Sequence, residues 1–326
     1  RIPILNLENA SNEWDVTFFT MFHMSGDSRY FRTAEFDGAI PLYEAKMMHQ
    51  YNHRFSSFGH LPEGERSHML PETQASRLAD SQFTTEPCYY VPCTEVNQRL
   101  QDRDPHKWLL GYREISSAGL QRTTIYSFLP FAGVNHKIPL VSFGIESRRF
   151  IRCFASCMNS YPLDFFARQK LGGASFSFFI MRQLPVIPPS AFERSCEWSI
   201  DTTVCDWIDP RVLELTYTAW DLEAFALDCG CDGPPFRWDE ERRFLLRCEL
   251  DAAYFHLYLG TPAQWGQDPP SDSLPDGEGA PQTPPPSEGD EEAQSSQLVD
   301  MFPTPRHAVE YIMETFPIVK KKDIKA

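Results

Sequence analysis

Residues 163–189 read LDFFARQKLGGASFSFFIMRQLPVIPP, and the fold turns on this stretch. An aromatic-rich amphipathic segment runs into Arg168, Gln169 and Lys170, breaks at Gly172 and Gly173, resumes as an almost wholly apolar run and stops at Pro185, Pro188 and Pro189. The pattern predicts a helix, a glycine hinge and a second buried element ended by prolines, which cannot continue a helix. Two readings of the hinge stand side by side. In one, Arg168 and Lys170 face the dipole of a helix C-terminus and the glycines cap it. In the other, glycine lets the backbone come close to a ligand while Arg, Gln and Lys hold phosphates or read base edges.

Upstream of this stretch, Phe150, Ile151, Phe154, Cys157 and Met158 form an apolar stripe at helical spacing, which predicts a helix over 147–160. Pro162 fits the first turn of the next helix, with Ser160 as its cap. Residues 13–22 read as a strand or buried edge and 40–55 begin strand-like, while short β-prone runs at 89–91, 108–112, 123–129 and 138–143, separated by turn chemistry, predict a mixed sheet. Residues 59–87 are polar and rich in turn formers, as in a surface loop or insertion.

Downstream, Val212, Leu215, Ala219, Leu222 and Phe225 form one stripe and Leu245, Cys248, Ala252, Phe255 and Leu259 another, which predicts an antiparallel helix pair joined by 230–236. Residues 261–300 are low-complexity, acidic and without a single basic residue, the composition of a disordered tract. A last amphipathic helix is expected over 305–316, before Lys320, Lys321 and Lys322. The expected fold class is α+β: a mixed sheet with packed helices over 1–195 and a helical region over 196–326 that carries the acidic tract.

At 326 residues and 42% hydrophobic, the chain can bury a substantial core, and its length suggests about two domains. No uninterrupted apolar run reaches the roughly 18 residues of a membrane span, and RIPILNLENA lacks the features of a signal peptide, so a soluble, cytoplasmic protein with no membrane partner is expected. The nine cysteines are scattered through apolar surroundings without a C-x-x-C pair. Small buried thiols are the expectation, and zinc is not.

The formal charge of -15 argues against nucleic acid until its distribution is considered. Residues 1–195 carry 20 basic and 19 acidic groups, whereas 196–326 carry 10 and 26. Within 113–194 the tally is 10 basic against 4 acidic, a balance that could form a phosphate-binding patch.

Catalytic signatures are thin. Asp37 with Glu44-Ala45-Lys46 has the carboxylates and lysine of a magnesium-dependent nuclease, where carboxylates hold the metal and lysine steadies the attacking water. A structural ion pair is the competing reading. His49 and His53 have the spacing of two ligands on one helical face but lack the intervening Glu and a third ligand. Asp232-Gly233-Pro234-Pro235-Phe236 nearly matches an Asn/Asp-Pro-Pro-Tyr/Phe amino-methyltransferase loop, yet glycine occupies the polar position and an interhelix turn is the better reading. No P-loop, nucleophile elbow or triad spacing occurs.

Six blocks in one order carry more than any of these: NEWDVTFFTMFHMSGDSRYFRT, IPLYEAKMMHQYNHRFSSF, WLLGYREISSAGLQRTTIYSFLP, LDFFARQKLGGASFSFFIMRQLPVIPP, VLELTYTAWDLEAFALDCGCDGPPFRWDEERRFLLRCELDAAYFHLYLG and YIMETFPIVKKKD. Together they resemble the C-terminal, post-catalytic part of large bacterial adenine-specific DNA methyltransferases of the restriction-modification type. The resemblance spans the chain apart from 59–87 and 261–300. It implies a DNA target-recognition segment that partners double-stranded DNA and a preceding methyltransferase domain, in which S-adenosylmethionine and the catalytic loop reside; no cofactor is expected in the chain itself. On that pattern Arg113, Arg122, Arg168 and Lys170 would hold phosphates, Gln169 or an arginine would read bases, and Gly172 and Gly173 would shape the turn. Ala45 stands where the family tends to have glycine. The alternatives are a nuclease segment using Asp37, Glu44 and Lys46, or an interaction module whose acidic tract docks a protein.

Overall fold

The computed structural model describes residues 4–5, 13–61 and 69–259. The acidic tract and the expected helix at 305–316 lie outside the described residues, as do 62–68. In chain order the strands are β1 (Val16–Phe19), β2 (Ala39–Tyr43), β3 (Tyr90–Pro92), β4 (Trp108–Tyr112), β5 (Tyr126–Pro130), β6 (Gly133–Val134) and β7 (Leu140–Phe143). The helices are α1 (Ala75–Leu78), α2 (Cys93–Leu100), α3 (Ile151–Asn159), α4 (Tyr161–Lys170), α5 (Phe178–Met181), α6 (Pro189–Phe192), α7 (Val204–Thr216), α8 (Glu223–Asp228) and α9 (Glu240–Leu259). The class is α+β, as the sequence predicts.

Instead of one mixed sheet there are two: an antiparallel sheet in the order β1-β7-β4-β5, and a small sheet in the order β3-β2-β6, in which β2 pairs antiparallel with β3 and parallel with β6. Period-two alternation explains how they stack, because successive side chains of a strand point to opposite faces. Trp108, Leu110 and Tyr112 of β4, Tyr126 and Phe128 of β5, and Val141 and Phe143 of β7 join one hydrophobic cluster with α3, α4, α7 and α9. Leu109, Leu129 and Leu140, on the other face, join a second cluster with Leu42 and Tyr43 of β2, Val91 of β3, Val134 of β6 and Val96 of α2. The large sheet is thus covered on both faces, which is why WLLGY, YSFLP and LVSF are buried at every position. Gly111 lies where a Cβ would come within 2.6 Å of the Ile138 side chain, so β4 has no room for a larger residue there.

The boundary expected near 195 runs through one core. Val204, Ile208, Val212 and Leu215 of α7 and Leu246, Leu250 and Tyr254 of α9 belong to the same cluster as the large sheet. The two expected helical stripes also rearrange. The first breaks after α7 at Tyr217, and α9 packs on α4 and α7 rather than forming a simple hairpin with α8. In α9, Arg243 and Asp251 are buried beside Leu246, Leu250 and Ala253, so this helix is an interior element with polar groups inside.

The described part of 59–87 is also less peripheral than its composition predicts. Arg54, with no exposed surface, donates to the carbonyls of Leu78, Asp80 and Phe83 at 2.8–3.0 Å and to Thr218 O at 2.9 Å. One guanidinium therefore ties 78–83 to the chain just past α7.

Candidate nucleic-acid interface

The glycine hinge is built from α4 outward. Asp164 and Arg168, one turn apart, form an ion pair with Arg168 Nε 2.5 Å from Asp164 Oδ2. The remaining Arg168 nitrogens donate to Ala118 O (2.8 Å) and Gln121 O (2.7 Å). Asp164, fully buried, accepts from Thr123 N, Thr124 N and Thr124 Oγ1 at 2.6, 2.9 and 3.2 Å. The pair thus fixes the largely exposed loop 116–122 against α4. Arg168, expected to hold a phosphate, positions that loop instead.

The capping reading of the glycines does not hold. Leu171 ends α4 at φ -82 and ψ 96, its N–H bonded to Ala167 O, and neither Gly172 nor Gly173 adopts the left-handed conformation of a glycine cap. A Cβ on either would meet nothing within 4 Å, and both are exposed. Neither packing nor backbone conformation within the described residues calls for glycine at these two positions. The following segment lies along the loop after β4, with Ser116 N donating to Ala174 O (3.1 Å), Phe176 N to Glu114 O (2.7 Å) and Ser175 Oγ to Glu114 Oε1 (2.7 Å). Two loops, 115–121 and 172–175, are thereby joined into one exposed ridge. Gln169 and Lys170 are exposed beside it, and neither side chain makes a hydrogen bond or ion pair with a described residue.

Arg113 and Arg122 point the other way. Arg113 donates from Nε to Ala45 O at 2.8 Å and from Nη2 to Lys46 O at 3.4 Å, tying the 44–46 turn to the end of β4; burial holds its guanidinium down to about 10. That turn is a 3-10 helix without a positive φ, so Ala45 fits it as well as glycine would. Arg122 is buried, with Nη2 2.7 Å from Asp251 Oδ2, Nη1 3.0 Å from Asn159 O, and its guanidinium over the Tyr161 ring. Burial opposes its charge, but Asp251, Tyr161 and Asp164 together outweigh burial and raise its pKa. Both arginines are spent on the interior, which corrects the expectation that they hold phosphates.

Of the seven residues read from sequence, then, Gln169, Lys170, Gly172 and Gly173 face outward, while Arg113, Arg122 and Arg168 build the support beneath them. Further cations of 113–194 are paired: Lys137 with Glu114 and Arg149 with Glu193, both inside that stretch, and Arg152 with Asp209 outside it. A basic feature that sequence reasoning misses lies beside the ridge. Gln121 also borders a recess lined by Arg243 and Arg247 of α9. Their spacing of four within ERRFLLR is the one available signal, masked by the acidic charge of that half of the chain.

Other constellations resolve into structure. Asp37 precedes β2 and Glu44 follows it, so an extended strand of five residues, roughly 17 Å at 3.4 Å per residue, separates two carboxylates that would have to share one ion. Glu44 instead lies 3.5 Å from Lys46. His53 bonds Asp221 at 2.8 Å, and His49 belongs to a tight turn with Asn52 rather than to a helix. Residues 230–236 form the turn between α8 and α9, with Gly230 at φ 77. Cys153, Cys205 and Asp209 come within 4.8 Å of one another, but Arg152 already pairs with Asp209, and burial pushes the Cys153 thiol well up, toward its protonated form. That chemistry suits a packed thiol better than a metal ligand. No helix among the described residues is long and apolar enough to cross a membrane.

His49 supplies a pH prediction. Burial, then the charges of Arg113, Arg247 and Arg122, hold it down to about 3 from 6.5. Between these values the unfolded chain binds a proton that the folded chain refuses, so stability falls as pH drops through this window. His49→Gln is expected to flatten the acid limb of a plot of melting temperature against pH. An unchanged limb would show that His49 is not the group responsible.

No protein-family model matches the chain, and no curated protein is significantly similar to it.

Proposed function

We propose that this chain is the DNA target-recognition segment of a site-specific adenine DNA methyltransferase of the restriction-modification or phage-defence type. In this reading the methyl-donor site for S-adenosylmethionine and the catalytic loop belong to a preceding domain, and the chain's own work is to hold double-stranded DNA. The observation that carries it is the ridge. Blocks distant in sequence, at 44–46, 113–122 and 164–176, converge: Arg113 ties the 44–46 turn to the end of β4, Arg168 braces loop 116–122, and hydrogen bonds through 114–116 join that loop to 172–175. The outward groups of the ridge and the adjoining end of α4 are an amide, an ammonium and two glycines without a structural reason to be glycine. Lys170 would hold a phosphate, Gln169 is free to read a base edge, and Gly172 and Gly173 would let the duplex backbone approach the protein backbone.

Because Lys170, Gly172 and Gly173 touch little else, their substitution separates binding from folding. Lys170→Ala and the double change Gly172→Ala/Gly173→Ala are expected to leave the melting temperature unchanged or, for the glycines, slightly raised through a less flexible unfolded chain. Duplex affinity should fall about tenfold in each, equivalent to roughly 1.4 kcal/mol of binding free energy. Full affinity in both variants would remove the ridge from the interface. Arg168→Ala is the less informative change, since it frees loop 116–122 whatever the loop touches.

A further inference from the structure

A recess of about 420 Å³ lies between the 49–55 turn, Thr73, Gln121 and the first turns of α9. Three buried side-chain atoms of its lining find no hydrogen-bond partner among the described residues: Arg247 Nε, Trp238 Nε1 and Thr73 Oγ1. Leaving a buried polar group unmet costs stability, so several on the wall of one cavity call for a partner. Three around one recess point to acceptor atoms supplied from outside.

The charge in the recess asks for the same ligand. Arg243 is committed to the fold, donating to Leu215 O (2.5 Å) and Tyr51 O (3.1 Å) with its guanidinium over the Trp238 ring. The side chain of Arg247, one turn along α9, makes no hydrogen bond or ion pair with a described residue. Burial, then Arg247 and Arg54, bring the Arg243 guanidinium down to about 9; burial and Arg122 lower Arg247. His49 beside them is kept neutral by burial and by neighbouring cations, Arg247 among them. The acidic residues of the lining, Glu72 and Glu240, are exposed at the rim, and the buried Asp251 is already paired with Arg122. The floor therefore holds more positive charge than it neutralises.

A group with several acceptor oxygens and a negative charge meets the Thr73 hydroxyl, the Trp238 N–H and the Arg247 guanidinium at once, and a tetrahedral oxyanion presents its acceptors in divergent directions. We infer that this recess binds a phosphate group, with Arg247 as its charge partner and Trp238 and Thr73 as neutral donors. Its chemistry stands without the DNA-binding reading, which bears only on where the phosphate comes from. Gln121 borders the recess and, through its carbonyl, is held by Arg168 of the ridge, so a backbone phosphate of a duplex on the ridge is one source; a free phosphorylated small molecule is the other.

The experiment titrates the chain and its Arg247→Gln and Trp238→Phe variants with inorganic phosphate, followed by tryptophan fluorescence and melting temperature, and with a short DNA duplex. Inorganic phosphate should bind and stabilise the wild type. The Arg247→Gln change should weaken that binding about tenfold or more, and Trp238→Phe, read by melting temperature, should weaken it less while retaining the ring under Arg243. If the DNA backbone is the source, Arg247→Gln also weakens the duplex about tenfold and reduces the slope of log affinity against log salt by about 0.9. If a small molecule is the source, duplex affinity is unchanged while phosphate binding disappears. A wild type that binds phosphate through Arg247 but no duplex would remove the DNA reading and leave the recess assigned. Absence of phosphate binding by the wild type, or binding of both probes indifferent to the two folded variants, overturns the inference; should Arg247→Gln not fold, an unaltered Trp238→Phe overturns it alone.

Discussion

Replacing Asp251 with alanine is expected to destabilise the protein by about 3–5 kcal/mol, the usual cost of removing one partner from a buried ion pair. Asp251 is 3% exposed and serves two clients from α9: Oδ2 accepts from Arg122 at 2.7 Å, and Oδ1 accepts from Tyr161 N at 2.7 Å. The second bond does the work of an N-cap for α4. Ser160 stands at the capping position, but its hydroxyl turns back to Cys157 O and leaves the helix donors to Asp251. Alanine would strand the Arg122 cation beside Arg247 and orphan the first N–H of α4. The urea midpoint should therefore fall sharply, and Arg122→Met in the same chain should recover part of the stability, because an apolar residue of similar length does not need the carboxylate. A destabilisation under about 1 kcal/mol, the range of exposed pairs, would mean that the pair does not hold α9 to α4.

Replacing Arg54 with methionine should cost a comparable amount. The side chain satisfies the carbonyls of Leu78, Asp80, Phe83 and Thr218 together, and methionine fills its volume but meets none of them. At about 1–3 kcal/mol for each buried acceptor left unmet, partly relieved by water, roughly 3–5 kcal/mol is expected. The effect should be local before it is global. Amide exchange across 69–87 should quicken while β4 and β5 stay protected, since Arg54 holds three carbonyls of that segment beside Thr218, just past α7. Uniform exchange in mutant and wild type would contradict that role.

Both residues show where sequence stops being informative. β4, β5 and β7 are legible because strands covered on two faces must be apolar throughout, and α3 and α4 because their stripes and Pro162 are local signals. Arg122 reads as a phosphate ligand because its partner Asp251 lies 129 residues away, and nothing local distinguishes a cation awaiting DNA from one awaiting a distant carboxylate. The 69–87 segment reads as peripheral because composition records side chains, whereas its anchor uses backbone carbonyls. The glycine pair misleads in the opposite direction: helix-end statistics favour a cap, yet α4 ends without a left-handed residue. Of the exposed ridge, the outward residues Gln169, Lys170, Gly172 and Gly173 are visible in the sequence. The recess at Arg247 is not, because only the packing of α9 against the 49–55 turn creates it.

The most direct test of the central proposal is the affinity of the chain for a DNA duplex across a salt series, with Lys170→Ala alongside. The proposal predicts measurable binding at low salt, a linear fall of log affinity with log salt, and a slope shallower by about 0.9 in the variant, the signature of one fewer phosphate neutralised by the protein. No duplex binding at low salt, or a slope that Lys170→Ala leaves unchanged, would contradict it.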